Sequence, residues 1–249
     1  MDIWNPVVGR WFSRHLGQEM PIVSYGQWGY PLLLFSKVSP HRLEQEREDL
    51  LQAIEAPVRT GEVRVFAVAS LDDQSWRDDS LPVWEKADRQ ARYSRYVEEE
   101  VVEHIHQMCQ WYARRIAVAG VGFGAFHAAN ALFRRPDLFD SFLGVTGFYD
   151  LGPSYLHGFC DDNSYFNNPA WFLPGLEGQL LDLLKTACRI RILTHERADE
   201  SLEASRWPSV ILQGKGIPHA FDILEDGAVP RWPWWSAGWT GGGGGGGVF

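Results

Sequence analysis

The chain has 249 residues, 45% of them hydrophobic, enough for one large α/β domain or two small ones. Its net charge of −9 without any basic run points away from nucleic acid, and no apolar stretch approaches the roughly 20 residues that span a bilayer. Residues 1–12 lack a basic segment followed by an apolar one, and Cys109, Cys160 and Cys188 are odd in number and widely spaced, so a reducing cytoplasm is expected, with neither secretion nor a zinc site.

In chain order, residues 7–13 and 21–25 read as two antiparallel strands joined through Gly17, and residues 31–35 (PLLLF) as a strand buried on both faces. A helix is expected over 42–54, with Leu43, Leu50, Leu51 and Ile54 on one stripe, followed by a strand over 62–69. Residues 71–84 form a long acidic loop, and 85–111 a helix carrying Tyr93, Tyr96, Val97, Val101 and Ile105 at helical spacing. Residues 116–119 then read as a buried strand, Gly120 to Gly124 as a glycine-rich corner, and the following small residues as a helix. This is the strand–elbow–helix plan of G-x-S-x-G hydrolases, in which the central residue is the nucleophile. Here that residue is Gly122, which has nothing to attack with.

Residues 141–146 are the next strand, 151–176 an irregular cap rich in Gly, Pro, Asn and aromatics, 180–187 a short helix and 189–194 a strand. A helix interrupted near Pro208 is expected over 198–214, a last strand over 219–224 and a short helix over 232–239. Alternating strands and helices imply right-handed crossovers and a parallel sheet. We expect a single domain over 1–240, with residues 241–249, which begin with seven glycines, as a flexible tail.

Several segments together make the chain resemble the esterase D-like family of α/β-hydrolases: LGQEMPIVSYG (16–26), GVGFGAFHAAN (120–130), RRPDLFD (134–140), GFYDL (147–151), DDNSYFNNP (161–169), KGIPH (215–219) and WPWW (232–235). The resemblance implies the α/β-hydrolase fold, with a mostly parallel central sheet flanked by helices and a small irregular cap. It also implies where a triad should stand, and each place is altered. The nucleophile position is Gly122; a His-Asp pair before WPWW is replaced by Pro230 and Arg231; and the acid position falls on Ala198 or Asp199. The oxyanion loop, small and Gly-rich in the family, is bulkier here at Lys37 and Val38 and loses a donor at Pro40. Changes at separate places point to natural divergence, and ordinary ester hydrolysis is not expected.

The glycine corner also resembles a dinucleotide loop, with Asp140 as the ribose partner, but Phe126 occupies a place that needs a small residue, and no cofactor is expected. His104 and His106 are two apart on a helix and do not face one another, so no metal site is expected there. His127 reads as a scaffold residue, Asp150 as a structural hydrogen-bond partner, and Asp161 to Asn163 as loop caps. Lys37 and His195 follow strands at the carboxyl end of the sheet, where α/β folds bind ligands, or else are solvated loop side chains.

The twelve tryptophans suit either packing or an aromatic pocket. Without Ser and His, the space above Gly122 becomes a pocket for a peptide or small aromatic ligand. Its candidate lining is Lys37, Val38, Gly122, Phe123, Tyr155, Phe159, Tyr165, Trp171, His195, Arg231 and Trp232. Two functions fit. One is substrate-assisted epimerisation of a peptide aspartate, as in the triad-less relatives that tailor bottromycin-type peptides. The other is a catalytically inert binding or scaffolding protein. The sequence sets neither the ligand nor the oligomeric state.

Overall fold

The computed structural model describes residues 6–36, 55–110, 114–195 and 199–224. Eight strands form one sheet in the order β1-β2-β4-β3-β5-β6-β7-β8. They are β1 (Val7–Ser13), β2 (Gln18–Tyr25), β3 (Tyr30–Phe35), β4 (Val63–Val68), β5 (Ile116–Val121), β6 (Phe139–Val145), β7 (Arg189–His195) and β8 (Ala220–Leu224). The β1–β2 and β2–β4 pairs are antiparallel and the rest are parallel. The central strands are buried on both faces, as continuous runs such as PLLLF and VRVFAV require.

The chain enters the sheet's parallel part at β3, steps to β4 on one side, then crosses back to β5 on the other. The crevice between the carboxyl ends of β3 and β5 is therefore the point where strand order reverses, the usual place for a ligand in such sheets. Phe35 and Gly120 are paired at that end.

The helix expected over 85–111 is α1 (Val83–Arg95), a π turn (Tyr96–Val101) and α2 (Val102–Met108). The π turn carries Glu98, Glu99 and Glu100, each with a partner. Glu100 accepts from Trp11 Nε1 at 2.7 Å and Ser13 Oγ at 2.8 Å, Glu99 holds Arg14 at 2.7 Å, and Glu98 lies 3.1 Å from Arg134 Nε. The edge hairpin β1–β2 is thus tied to the helical layer by side chains that the widened turn presents. The elbow helix is α3 (Phe123–Arg134), buried at every position but its last.

The cap is more regular than expected. A π turn (Gly152–Leu156) leads to α4 (Asp162–Tyr165), α5 (Pro169–Phe172) and a 3₁₀ turn (Leu173–Gly175). Asp161 and Ser164 form a reciprocal capping box, so the Asp161–Asn163 segment caps a helix, as read from the sequence. After α6 (Gly178–Thr186) and β7 comes α7 (Asp199–Gly214), which continues through Pro208 without the expected interruption. Buried Ser205 and Leu212 anchor it on either side of the proline, and tertiary packing outweighs the lost hydrogen bond. The expected helices over 42–54 and 232–239 and the glycine tail lie outside the described residues.

Candidate functional site

The elbow is built by three glycines with three different jobs. A Cβ on Gly120 would overlap the backbone of Gly124, and one on Gly124 would overlap the carbonyl oxygen of Phe35. These two glycines let α3 press against the ends of β3 and β5. Gly122 differs. Its backbone has φ 59° and ψ −119°, a conformation that side chains rarely adopt, yet a Cβ built there meets nothing within 4 Å. The turn is pinned by Gly122 N–H donating to Val145 O at 3.1 Å, and by Ala125 and Phe126 N–H groups donating to Gly122 O. The backbone keeps a raised, open seat for a side chain, and the sequence leaves it bare.

Directly after it, Phe123 opens a 12-residue helix, whose first N–H groups have no intrahelical acceptor and carry the positive end of the dipole. Beside the elbow, Thr146 at the end of β6 has φ 45°, unusual for a β-branched residue, and its N–H donates to Leu193 O at 2.8 Å.

The Phe123 ring is covered by a cation. Arg77 Cζ stands 5.0 Å from the ring centroid, and the half-exposed guanidinium pairs weakly with Asp73 at 3.7 Å. Arg77 belongs to the loop after β4 and was not among the sequence candidates. Its signal is the one used for Lys37 and His195, a polar residue following a strand at the carboxyl end of the sheet. Asp72 organises this loop: its carbonyl accepts from Ser75 at 3.1 Å and from Arg77 at 2.8 Å.

Asp72 also makes the main buried ionic contact behind the elbow. His127 Nε2 lies 2.9 Å from its Oδ1, both side chains are at most 3% exposed, and Ser70 donates to its other oxygen. Burial alone would raise the Asp72 carboxyl, but the neighbouring His127 charge and the hydrogen bonds from His127 and Ser70 outweigh it and hold it below the ordinary value. Aspartate stands between serine and imidazole here, so the set cannot pass a proton from serine to histidine as a hydrolytic triad does.

Of the aromatic candidates, Phe123 and Tyr155 pack into a second hydrophobic cluster with Trp76, Phe126, Leu151 and Leu156, and Phe159 and Trp171 lie against it. Phe123 meets Phe148 edge-on at 4.5 Å and Tyr155 at 5.4 Å. Burial raises the Tyr155 phenol above its ordinary value, with Arg77 pulling the other way. Tyr165 lies apart, packed against the main core and edge-on to Phe166. Asp150 accepts from Gly152 N–H and Asn168 Nδ2, both at 2.8 Å, the structural role expected of it. Asp140 is taken by Tyr30 at 2.6 Å, and His104 stacks on Trp11. His195 ends β7 and Asp199 begins α7. Lys37, Val38, Pro40, Ala198, Pro230, Arg231 and Trp232 lie outside the described residues. Among the described residues, no group of three or more metal-binding side chains converges and no helix is long and apolar enough to cross a membrane.

A groove of about 500 Å³ lies between the β1–β2 turn and α1, lined by Leu16, Gln18, Leu71, Gln74, Trp84 and Arg89 among others. The loop after β4 forms part of its wall.

Strand order, crossovers and elbow together decide the fold. The chain has the α/β-hydrolase fold. Solved structures agree. A ferulic acid esterase is 15% identical, with a TM-score of 0.66 over 94% of each chain. An S-formylglutathione hydrolase from Agrobacterium tumefaciens is also 15% identical, with a TM-score of 0.61 over 88% of this chain and 86% of that one. The enterobactin esterase FES from Shigella flexneri is 17% identical, with a TM-score of 0.58 over 89% of this chain, which spans about half (54%) of that protein. No family model and no curated protein matches the sequence. At these identities the α/β-hydrolase likeness is one of scaffold, and function has to be argued from the site.

Proposed function

We propose that this α/β-hydrolase homologue does not hydrolyse esters, but binds a peptide above Gly122 and epimerises an aspartate residue in it, as a tailoring step on a bottromycin-type peptide. The observation that carries this reading is the elbow: its unusual backbone is kept, its seat is open, and glycine occupies it. A surface maintained in that shape without a nucleophile suits recognition of a carbonyl or carboxylate more than attack on one.

Epimerisation makes small demands on such a site. The α C–H bond of the aspartate residue breaks and a C–H bond re-forms on the opposite face, with no net redox change and no leaving group. The substrate's own β-carboxylate takes the proton and returns it. The chain supplies what that carboxylate cannot. Backbone N–H groups at the start of α3 stabilise the oxygen on which charge develops. Arg77 offers a cation at the rim. The aromatic cap cluster keeps the surroundings poor in water. The groove beside the β4 loop has room for residues flanking the reacting one.

Aspartate-containing peptides incubated with the protein in D₂O should incorporate one deuteron at the α-carbon and yield both epimers on chiral analysis. Arg77→Ala should weaken peptide binding about two- to fivefold, the modest loss appropriate to a half-exposed cation. Saturable peptide binding without exchange would favour the second reading, an inert binding protein. The packing of Phe123 and Tyr155 into a closed cluster favours that reading. Saturable turnover of a chromogenic short-chain ester would defeat both.

A further inference from the structure

A small cavity lies between α1, its π turn and α3. It is lined by Phe35, Tyr93, Ser94, Val97, His127 and Asn130 among others, and its volume of about 10 Å³ is the room one water needs. Three of its lining side chains carry a buried polar atom without a hydrogen-bond partner: Glu98 Oε1, which is ion-paired with Arg134 at 3.1 Å, and His127 Nδ1 and Asn130 Oδ1, on residues 4% and 2% exposed. Asn130 Oδ1 is an acceptor, and His127 Nδ1 is one as well when the ring proton sits on Nε2, the nitrogen that faces Asp72. Asn130 directs its Nδ2 to Ser94 Oγ at 3.3 Å and Asn167 Oδ1 at 3.1 Å, which turns its carbonyl the other way. The hydroxyls nearby are committed: Ser94 donates to Asn167 at 2.6 Å and Tyr93 to Ala69 O at 2.9 Å. Two such atoms, on side chains that line a space of this size, suit a single small molecule that donates to both.

We propose that this cavity is a binding site for one structural water, which donates to His127 Nδ1 and Asn130 Oδ1. The water joins two networks into one. On one side stand Ser70, Asp72 and His127, which set the loop that carries Arg77. On the other stand Asn130, Ser94 and Asn167, the last in the cap. The elbow helix, the β4 loop and the cap then share a continuous hydrogen-bonded chain, and the His127 tautomer is locked with its proton on Nε2.

The inference does not depend on any catalytic activity. A high-resolution crystal structure of the full chain should show a water within about 3.2 Å of both atoms. Long-range ¹H–¹⁵N spectra of the histidines should place the His127 proton on Nε2, with Nδ1 at the shift of a hydrogen-bonded acceptor. Val97→Ile adds a methyl to the cavity wall without touching a polar group. It should expel the water and move the Nδ1 resonance toward that of a free ring nitrogen. Empty density, a proton on Nδ1, or an Nδ1 resonance unmoved by V97I would each overturn the assignment.

Discussion

The two ends of the His127 neighbourhood contrast sharply. At the start of α3 the backbone is unusual, the space is open and the side chain is missing. One turn further along, His127 is buried, paired with Asp72 and supported by Ser70. The same helix gives His127 to a polar triplet that solvent cannot reach, completed by Ser70 and Asp72 from the β4 loop, and has no side chain at its Gly122 cap. An imidazole near an elbow is therefore no sign of hydrolysis. What matters is which face of the helix it occupies and what already holds its nitrogens.

The contrast can be broken first at the glycines. Gly124→Ala would drive a Cβ into the Phe35 carbonyl oxygen, a backbone atom that cannot rotate away. We expect a loss of at least about 3 kcal/mol, read as unfolding or a steep drop in urea midpoint, because overpacking against backbone leaves no side chain to yield. Gly122→Ala meets no atom and incurs only the strain of its conformation, about 1–3 kcal/mol. If the two variants lost equal stability, the separation of their roles would be wrong.

The buried pair comes next. Asp72→Ala should cost about 3–5 kcal/mol, since it leaves His127 Nε2 and the Ser70 hydroxyl without their buried partner while the main-chain bonds of the loop remain. The pair also has a pH signature. The folded-state pKa of Asp72 lies below its unfolded value, so its stabilisation is present above that unfolded value of 3.8 and is lost as pH falls through the folded pKa. Glu98 works in reverse: burial raises its carboxyl despite Arg134 and Arg135, so its contribution is fully present below the ordinary 4.5 and declines as pH rises through the folded pKa. Urea midpoints measured from acid to neutral pH should lose part of their acid slope in Asp72→Asn and steepen in Glu98→Gln.

These residues also show what a sequence can reveal. The strands, the crossovers and the elbow follow from apolar runs and glycine spacing, which are local signals, and the structure has them where they were expected. The capping box at Asp161 and the structural role of Asp150 are local too. The His127–Asp72 pair joins residues 55 apart, and Arg77 lies over a ring 46 positions away, distances at which periodicity carries no information. The π turn was missed for a related reason. Its three glutamates look like a solvated helix face until the edge hairpin and α3 supply their partners. The aromatic residues of the cap were recognised as a group, but composition could not distinguish a lined pocket from a cluster packed on itself.

The finest test of the contrast is to put the missing oxygen back. Gly122→Ser has open space around its Cβ and should fold, at a cost close to that of Gly122→Ala. A serine hydroxyl alone is a weak nucleophile at neutral pH and needs a base within hydrogen-bond reach. His127 cannot serve, because its Nε2 is taken by Asp72 and its ring is buried. The family resemblance implies Pro230 and Arg231 at the places of the histidine and its neighbour, and no base is expected there. The variant should therefore turn over a chromogenic acetate ester no faster than the unaltered chain, even with the Phe123 N–H in place to receive an oxyanion. Saturable hydrolysis by Gly122→Ser would mean that a working base still faces the elbow. One side chain alone would then separate this chain from ester hydrolysis, and the proposed reading of the elbow would fall.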